Sequence, residues 1–260
     1  MGVTARRPLV VANCSGFYGD RLAAARQMID GGPIDVLTGD WLAELTMTIL
    51  ARSRQRRSGS GYARTFVSQV EHVRRDCLDR GIRIISNAGG LDPGGCADAI
   101  AAAAERVGLH PTIAVVDGDD LSARLDALVK SGHRFADLDT GEPLGSRRLD
   151  AVAINAYLGM WGIVEASTAD ADIVITGRVT DAALVAGPAA WHHGWRHESW
   201  MRSRSRRSQI AARPVTRSGC HSVEWSGLVP ATRAATPTSD SSFGLRRRIR
   251  GRRIRACATS

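Results

Sequence analysis

Short apolar runs alternate with amphipathic stretches up to about residue 191. Runs of four to six residues rich in Val and Ile stand at 8–12, 34–37, 82–86, 112–117, 152–155 and 172–176. They lack the polar alternation of a half-exposed sheet, which predicts strands covered on both faces. The intervening spacing predicts helices over 20–30, 40–50, 62–80, 97–107, 121–130 and 180–191, with Phe66, Val70, Val73 and Cys77 on one apolar stripe. Strands alternating with helices build parallel sheets through right-handed crossovers. The predicted fold class is α/β: a mostly parallel, doubly wound sheet with helices on both faces, with part of a (β/α) barrel as the alternative. Residues 52–61, Arg-Ser-Arg-Gln-Arg-Arg-Ser-Gly-Ser-Gly, read as an exposed basic connection between helices, with an anion-binding patch as the alternative. Residues 131–148 read as a turn-rich excursion with a short strand.

The pattern stops after Trp195. Residues 196–260 hold ten Leu, Ile, Val, Met or Phe, and fifteen Arg against Glu198, Glu224 and Asp240, a net +12. The whole chain carries +9, so residues 1–195 carry −3. The basic character therefore belongs to the tail, and the first domain is mildly acidic. So little apolar surface cannot offset the entropy of ordering a chain. The expected organisation is an α/β domain at 1–195 and an Arg/Ser-rich, non-globular tail at 196–260, disordered or only locally structured. Nucleic acid would meet this tail only non-specifically, through phosphates, because Trp200, Trp225 and Phe243 are too far apart for base stacking. The 35 basic residues include one lysine, Lys130, which points to GC-rich coding DNA. Read out of frame, such DNA encodes Arg, Ala, Pro, Ser, Thr and Gly. A frameshift near codon 195 is the expected origin of the tail.

The five cysteines, Cys14, Cys77, Cys96, Cys220 and Cys257, are odd in number and widely spaced, without CxxC or finger spacing. They read as reduced, mostly buried thiols of a cytosolic protein. The apolar run at 9–12 is too short for a signal-peptide core, and Arg6 stands where a myristoylation signal needs Ser or Thr. The longest nearly apolar stretch, 151–164, contains Asn155 and falls short of a membrane span. A cytoplasmic protein without a membrane partner is expected.

A polar, Gly-rich connection follows every predicted strand, at 13–21, 38–46, 87–93, 118–120, 155–159 and 177–181. In an open parallel sheet these share one edge, where ligands bind near the reversal of strand order. Gly16, Gly89, Gly90 and Gly177 permit sharp turns and close approach. Helix starts after such turns present N–H groups to an anion, and Arg21 and Arg178 add charge-assisted bonds. These six are the candidate ligand- or cofactor-binding residues. Asp40, Asp119 and Asp181 are candidates for proton transfer or for Mg²⁺, with Asn87 and Asn155 orienting. Each has a structural alternative: Asp20, Asp40 and Asp119 as helix caps, and the two Asn as partners of turn backbone. GxGxxG and GxSxG are absent, so no dinucleotide fingerprint is present and Cys14-Ser15 resembles a nucleophile elbow only loosely. His192, His193 and His197 are close in sequence, but neighbours on a helix point about 100° apart, which favours surface or core roles over a metal site.

Taken in order and spacing, the segments 13–21, 37–47, 86–93, 118–121, 155–159 and 175–181 resemble the amino-terminal region of the acyclic terpene utilisation (AtuA-like) family, from about residue 8 to Trp195. Family members are typically longer and continue with a Gly-His…Glu-Cys-Gly…Gly-Gly segment that Gly219-Cys220-His221 does not fit, which implies a truncated member. The resemblance implies a role in catabolism of acyclic terpenes such as citronellol and geraniol, which proceeds through acyl-CoA intermediates, and an active edge without a mechanism. Three readings follow: an enzyme acting on a branched acyl-CoA or terpenoid acid; a non-catalytic, acyl-CoA-binding accessory of a carboxylase; and an inactive frameshifted fragment. The implied partners are a small-molecule substrate, such as an acyl-CoA, and a second copy of the chain or a carboxylase.

Overall fold

The computed structural model describes residues 7–56, 61–144 and 151–197, and the backbone of four strands within 212–257. Its core is a parallel sheet of β1 (Leu9–Asn13), β2 (Val36–Gly39), β3 (Arg83–Ser86), β4 (Ile113–Val116) and β5 (Ile173–Thr176), in the order β1-β2-β3-β5-β4. The helices are α1 (Ala24–Asp30), α2 (Glu44–Arg56), α3 (Arg64–Asp79), α4 (Pro93–Glu105), α5 (Leu125–Lys130), α6 (Trp161–Thr168) and α7 (Ala183–His193).

Side chains that alternate along each strand enter two separate cores. Ala12, Leu37, Ile84, Ile113 and Ile175 face Ala25, Phe66, Val70 and Ile100 of α1, α3 and α4. Val11, Val36, Ile85, Ala114 and Val174 face Ile163, Ala166, Leu184 and Ala190 of α6 and α7. Both faces are covered, which is why the strands lack polar alternation. The doubly wound reading holds, and the sheet is open: β5 lies between β3 and β4, so the strands do not run in the sequential order of a barrel.

That insertion sets the geometry of the site. The chain steps one way from β1 to β4, with α1, α3 and α4 on one face. It then steps back to β5, which under the right-handed rule puts α6 on the other face. The neighbours β3 and β5 therefore send their chains to opposite faces, so their carboxyl ends form the topological switch point, the crevice position of an open α/β sheet.

Three expectations are corrected. Residues 152–155 are not a strand; Asn155 makes an isolated bridge to Asp120 instead. The apolar stretch at 151–164 instead leads into α6, a helix the periodicity did not announce. Trp161-Gly-Ile-Val-Glu-Ala-Ser-Thr168 has weak intrinsic helix propensity. It is set by close packing: a Cβ at Gly162 would lie 2.6 Å from Val116 Cγ1, and one at Gly187 of α7 would lie 2.7 Å from Ile163 Cγ2. Finally, α2 continues through Arg52–Arg56, so part of the supposed flexible connection is helical, and 57–60 lie outside the described residues.

Most of 198–260, where the non-globular tail was expected, lies outside the described residues. The stretches that are described are β6 (Ala212–Arg217), β7 (Cys220–Trp225), β8 (Gly244–Ile249) and β9 (Arg252–Cys257). They pair locally as two antiparallel hairpins, β7 beside β1 and β8 beside β4. No helix among the described residues is long and apolar enough to cross a membrane.

Candidate functional site at the strand switch

The two loops flanking the crevice touch through their backbones. A Cβ at Gly89 would lie 2.5 Å from Thr176 O and 2.7 Å from Pro93 Cα, so only glycine lets the β3 turn pass the end of β5. Gly90 has φ +51°, and a Cβ there would come within 2.8 Å of Gly61 O. Asp92 then caps α4, its carboxylate accepting from Gly95 N at 2.9 Å.

Asn87, fully buried, joins the β2 and β3 turns. Its Oδ1 accepts from Trp41 N at 2.7 Å and its Nδ2 donates to Asp40 Oδ1 at 2.7 Å. Trp41 is buried edge-on against Phe66, which anchors the turn. Asp40 is half-buried. Its second bond, from Leu42 N at 3.4 Å, also falls on Oδ1, which leaves Oδ2 to hold or move a proton. Burial raises its carboxyl above the usual carboxylate range; the Asn87 amide opposes this and the Asp181 charge adds to it.

Arg178 follows β5 and is 5% exposed. Its Nη1 donates to Leu42 O and Asp181 Oδ1, each at 3.1 Å, and its Nη2 stands 3.8 Å from Glu44 Oε1. The Tyr157 ring lies over the guanidinium, 4.1 Å from its carbon, and the Tyr157 hydroxyl donates to Glu44 Oε1. Beneath the turn sits Asp119, 3% exposed, whose Oδ2 accepts from Arg178 N at 2.8 Å and Asn155 Nδ2 at 2.9 Å. Burial raises this carboxyl too, against the hydrogen bonds from Arg178 N and Asn155. Gly177 makes the contact possible, since a Cβ there would meet Asp119 Oδ1 at 2.2 Å.

Asp40, Asn87, Gly89, Asp119, Asn155, Gly177, Arg178 and Asp181 thus gather at the crevice, with Gly90 packed behind the turn against Leu50. Gly16 and Arg21 bond to none of these side chains, although the backbone beside Gly16 does reach the cluster: Ser15 O accepts from Asp40 N at 2.9 Å. Gly16 is exposed with open space around it, and exposed Arg21 has its carbonyl accepting from Gln69 Nε2 at 2.8 Å. The capping alternatives are revised as well. Asp20 closes its own turn by accepting from Gly16 N and Arg21 N, while α1 begins after Ala23. Asp119 opens no helix. Among the described residues no three His, Cys, Asp or Glu side chains are placed together to hold a metal ion. Cys14, Cys77 and Cys96 are buried and free. Burial pushes the Cys14 thiol up to about 12, which makes it a poor nucleophile. The four-residue spacing of Asp40 and Glu44 predicts two convergent carboxylates on one helix face, whereas α2 begins only at Glu44, which turns to Arg178 and Tyr157; Tyr157 itself carries no assignment from sequence, although an aromatic side chain in a strand-end loop was the available signal.

A family model described as acyclic terpene utilisation family protein AtuA matches residues 9–203. The chain belongs to the acyclic terpene utilisation family. The AtuA match spans every crevice residue named above, so the switch-point cluster lies wholly within the family domain. No curated protein and no solved structure matches the chain.

Proposed function

We propose that this member of the acyclic terpene utilisation family acts on a branched acyl-CoA or terpenoid acid bound in the β3/β5 crevice. One observation carries the reading: a buried cation, Arg178, and a half-buried carboxyl, Asp40, meet at the strand switch. Arg178 is the group for the ligand's anion, because a guanidinium offers paired donors to a carboxylate or phosphate. Asp40 is the proton-transfer group, held through Oδ1 by Asn87, and a raised carboxyl suits a general acid or base. Asp119 and Asn155 brace the Arg178 turn, and Asp181 sets the charge around both groups.

Calorimetry of the full chain with geranate and geranyl-CoA, followed by mass analysis of products, tests this. Arg178→Met is expected to lose binding, and Asp40→Asn to bind without forming product. Binding without turnover by the unaltered chain would favour a non-catalytic accessory that presents the acyl-CoA to a partner such as a carboxylase. No binding of either ligand would remove both readings. The proposed frameshift near codon 195 is tested separately, by translating the other frames of the coding DNA; it fails if neither yields apolar, periodic sequence.

A further inference from the structure

The guanidinium of Arg178 is engaged unevenly. Nη1 faces three protein oxygens, Leu42 O and Asp181 Oδ1 at 3.1 Å and Val179 O at 3.5 Å. Nη2 faces the Glu44 carboxylate at 3.8 Å, beyond hydrogen-bond reach, and the Tyr157 hydroxyl is a further polar partner of the guanidinium. A guanidinium is a planar fork suited to a bidentate anion, and this one has a well-held side and a loosely held side.

The loosely held side is roofed by two exposed groups from distant parts of the chain. The Glu44 side chain is 81% exposed and Tyr157 is 51% exposed. The Tyr157 hydroxyl ties the two together while its ring covers the cation. Exposed ion pairs and cation–π contacts are weak. The floor is firm by contrast: Asp119 holds the Arg178 backbone, and the Leu42 carbonyl holds its Nη1. A weak roof over a fixed, buried cation is built to be exchanged.

We propose that Glu44, tied by Tyr157, is an internal stand-in for the ligand's anion: its carboxylate occupies the Nη2 side of Arg178, and a carboxylate or phosphate of the ligand displaces it. This rests on the assignment of Arg178 to the ligand's anion. Ligand affinity then reports a competition between two anions for one guanidinium edge. Removing the internal competitor tightens binding, and removing the roof exposes Arg178 even without ligand.

Two measurements on the full chain test this. In the absence of ligand, phenylglyoxal labelling with peptide mapping reads the accessibility of Arg178. It should be protected in the unaltered chain and labelled several-fold faster in Tyr157→Ala. Calorimetry with geranate should show Glu44→Gln binding about five-fold tighter, the scale of an exposed ion pair. Equal labelling of Arg178 in both chains overturns the roof, whatever the ligand does. Loss of binding in Arg178→Met with an unchanged Kd in Glu44→Gln overturns the stand-in but keeps Arg178 as the anion site. Undiminished binding by Arg178→Met overturns that assignment itself, while the labelling still decides the roof.

Discussion

Turns on the same edge of the sheet are built to different standards. The turn after β1, from Cys14 to Arg21, is tied at its base to the β2 turn, where Ser15 O accepts from Asp40 N at 2.9 Å, but its tip is closed only by its own Asp20 and leaves Gly16, Phe17 and Arg21 exposed. The turns after β3 and β5 both bind the β2 turn, through Asn87 on Asp40 and Arg178 on Leu42 O, and Asp119 with Asn155 braces the Arg178 turn, with Asn87 and Arg178 buried. Both carry glycines, a carboxylate and an arginine in sequence. The difference is position relative to the strand switch: β1 stands two strands away, where the chain keeps to one face. Composition alone is a poor guide to which loop holds a site, because similar residues make a solvated turn in one place and a pre-organised cluster in another.

Glycine substitution is the sharpest way to break this comparison. Gly89→Ala drives a methyl into two backbone segments, Thr176 O and Pro93 Cα, neither of which can swing aside. It is expected to destabilise by about 3 kcal/mol, whereas Gly16→Ala, with nothing within 4 Å, should stay within about 0.5 kcal/mol. Urea unfolding of both variants decides; equal effects would abolish the distinction. Next in size, Asp119→Ala leaves the Arg178 N–H and the Asn155 amide without their acceptor in a buried site. About 2 kcal/mol should be lost in the same assay, and an unchanged midpoint would mean the brace is dispensable.

The pH dependence is a smaller effect with a definite sign. Asp40 and Asp119 are raised in the folded state, so the native protein holds protons there that the unfolded chain has released. Stability from these groups is therefore fully present below the unfolded carboxylate value of about 4 and declines as pH rises through the raised folded values. Asp40→Asn should flatten that decline in urea midpoints measured upward from pH 4; a slope identical to the unaltered chain would refute the role of burial at Asp40. Smallest of all, Arg21→Ala should alter neither stability, within about 0.5 kcal/mol, nor geranate binding. A loss of binding would bring the β1 turn back into the site.

Residues 9–195 were legible as alternating strands and helices because burial on both faces of a parallel sheet leaves a pattern in the local sequence: continuous Val/Ile runs and the Phe66–Cys77 stripe. The sequence also placed most of the crevice residues on one edge, since connections after parallel strands must emerge there. What it lacked were features made by contacts between distant segments. The α6 helix depends on Gly162 meeting Val116 and on Gly187 meeting Ile163, and the exclusion of Gly16 and Arg21 depends on strand order. The roof over Arg178 joins Glu44 to Tyr157 across 113 positions. Local periodicity records which face of each element is buried. Which strand lies beside which, and hence which loops become neighbours, is decided only when β5 inserts between β3 and β4, because pairing energy depends on the assembled sheet and leaves no mark on any single segment.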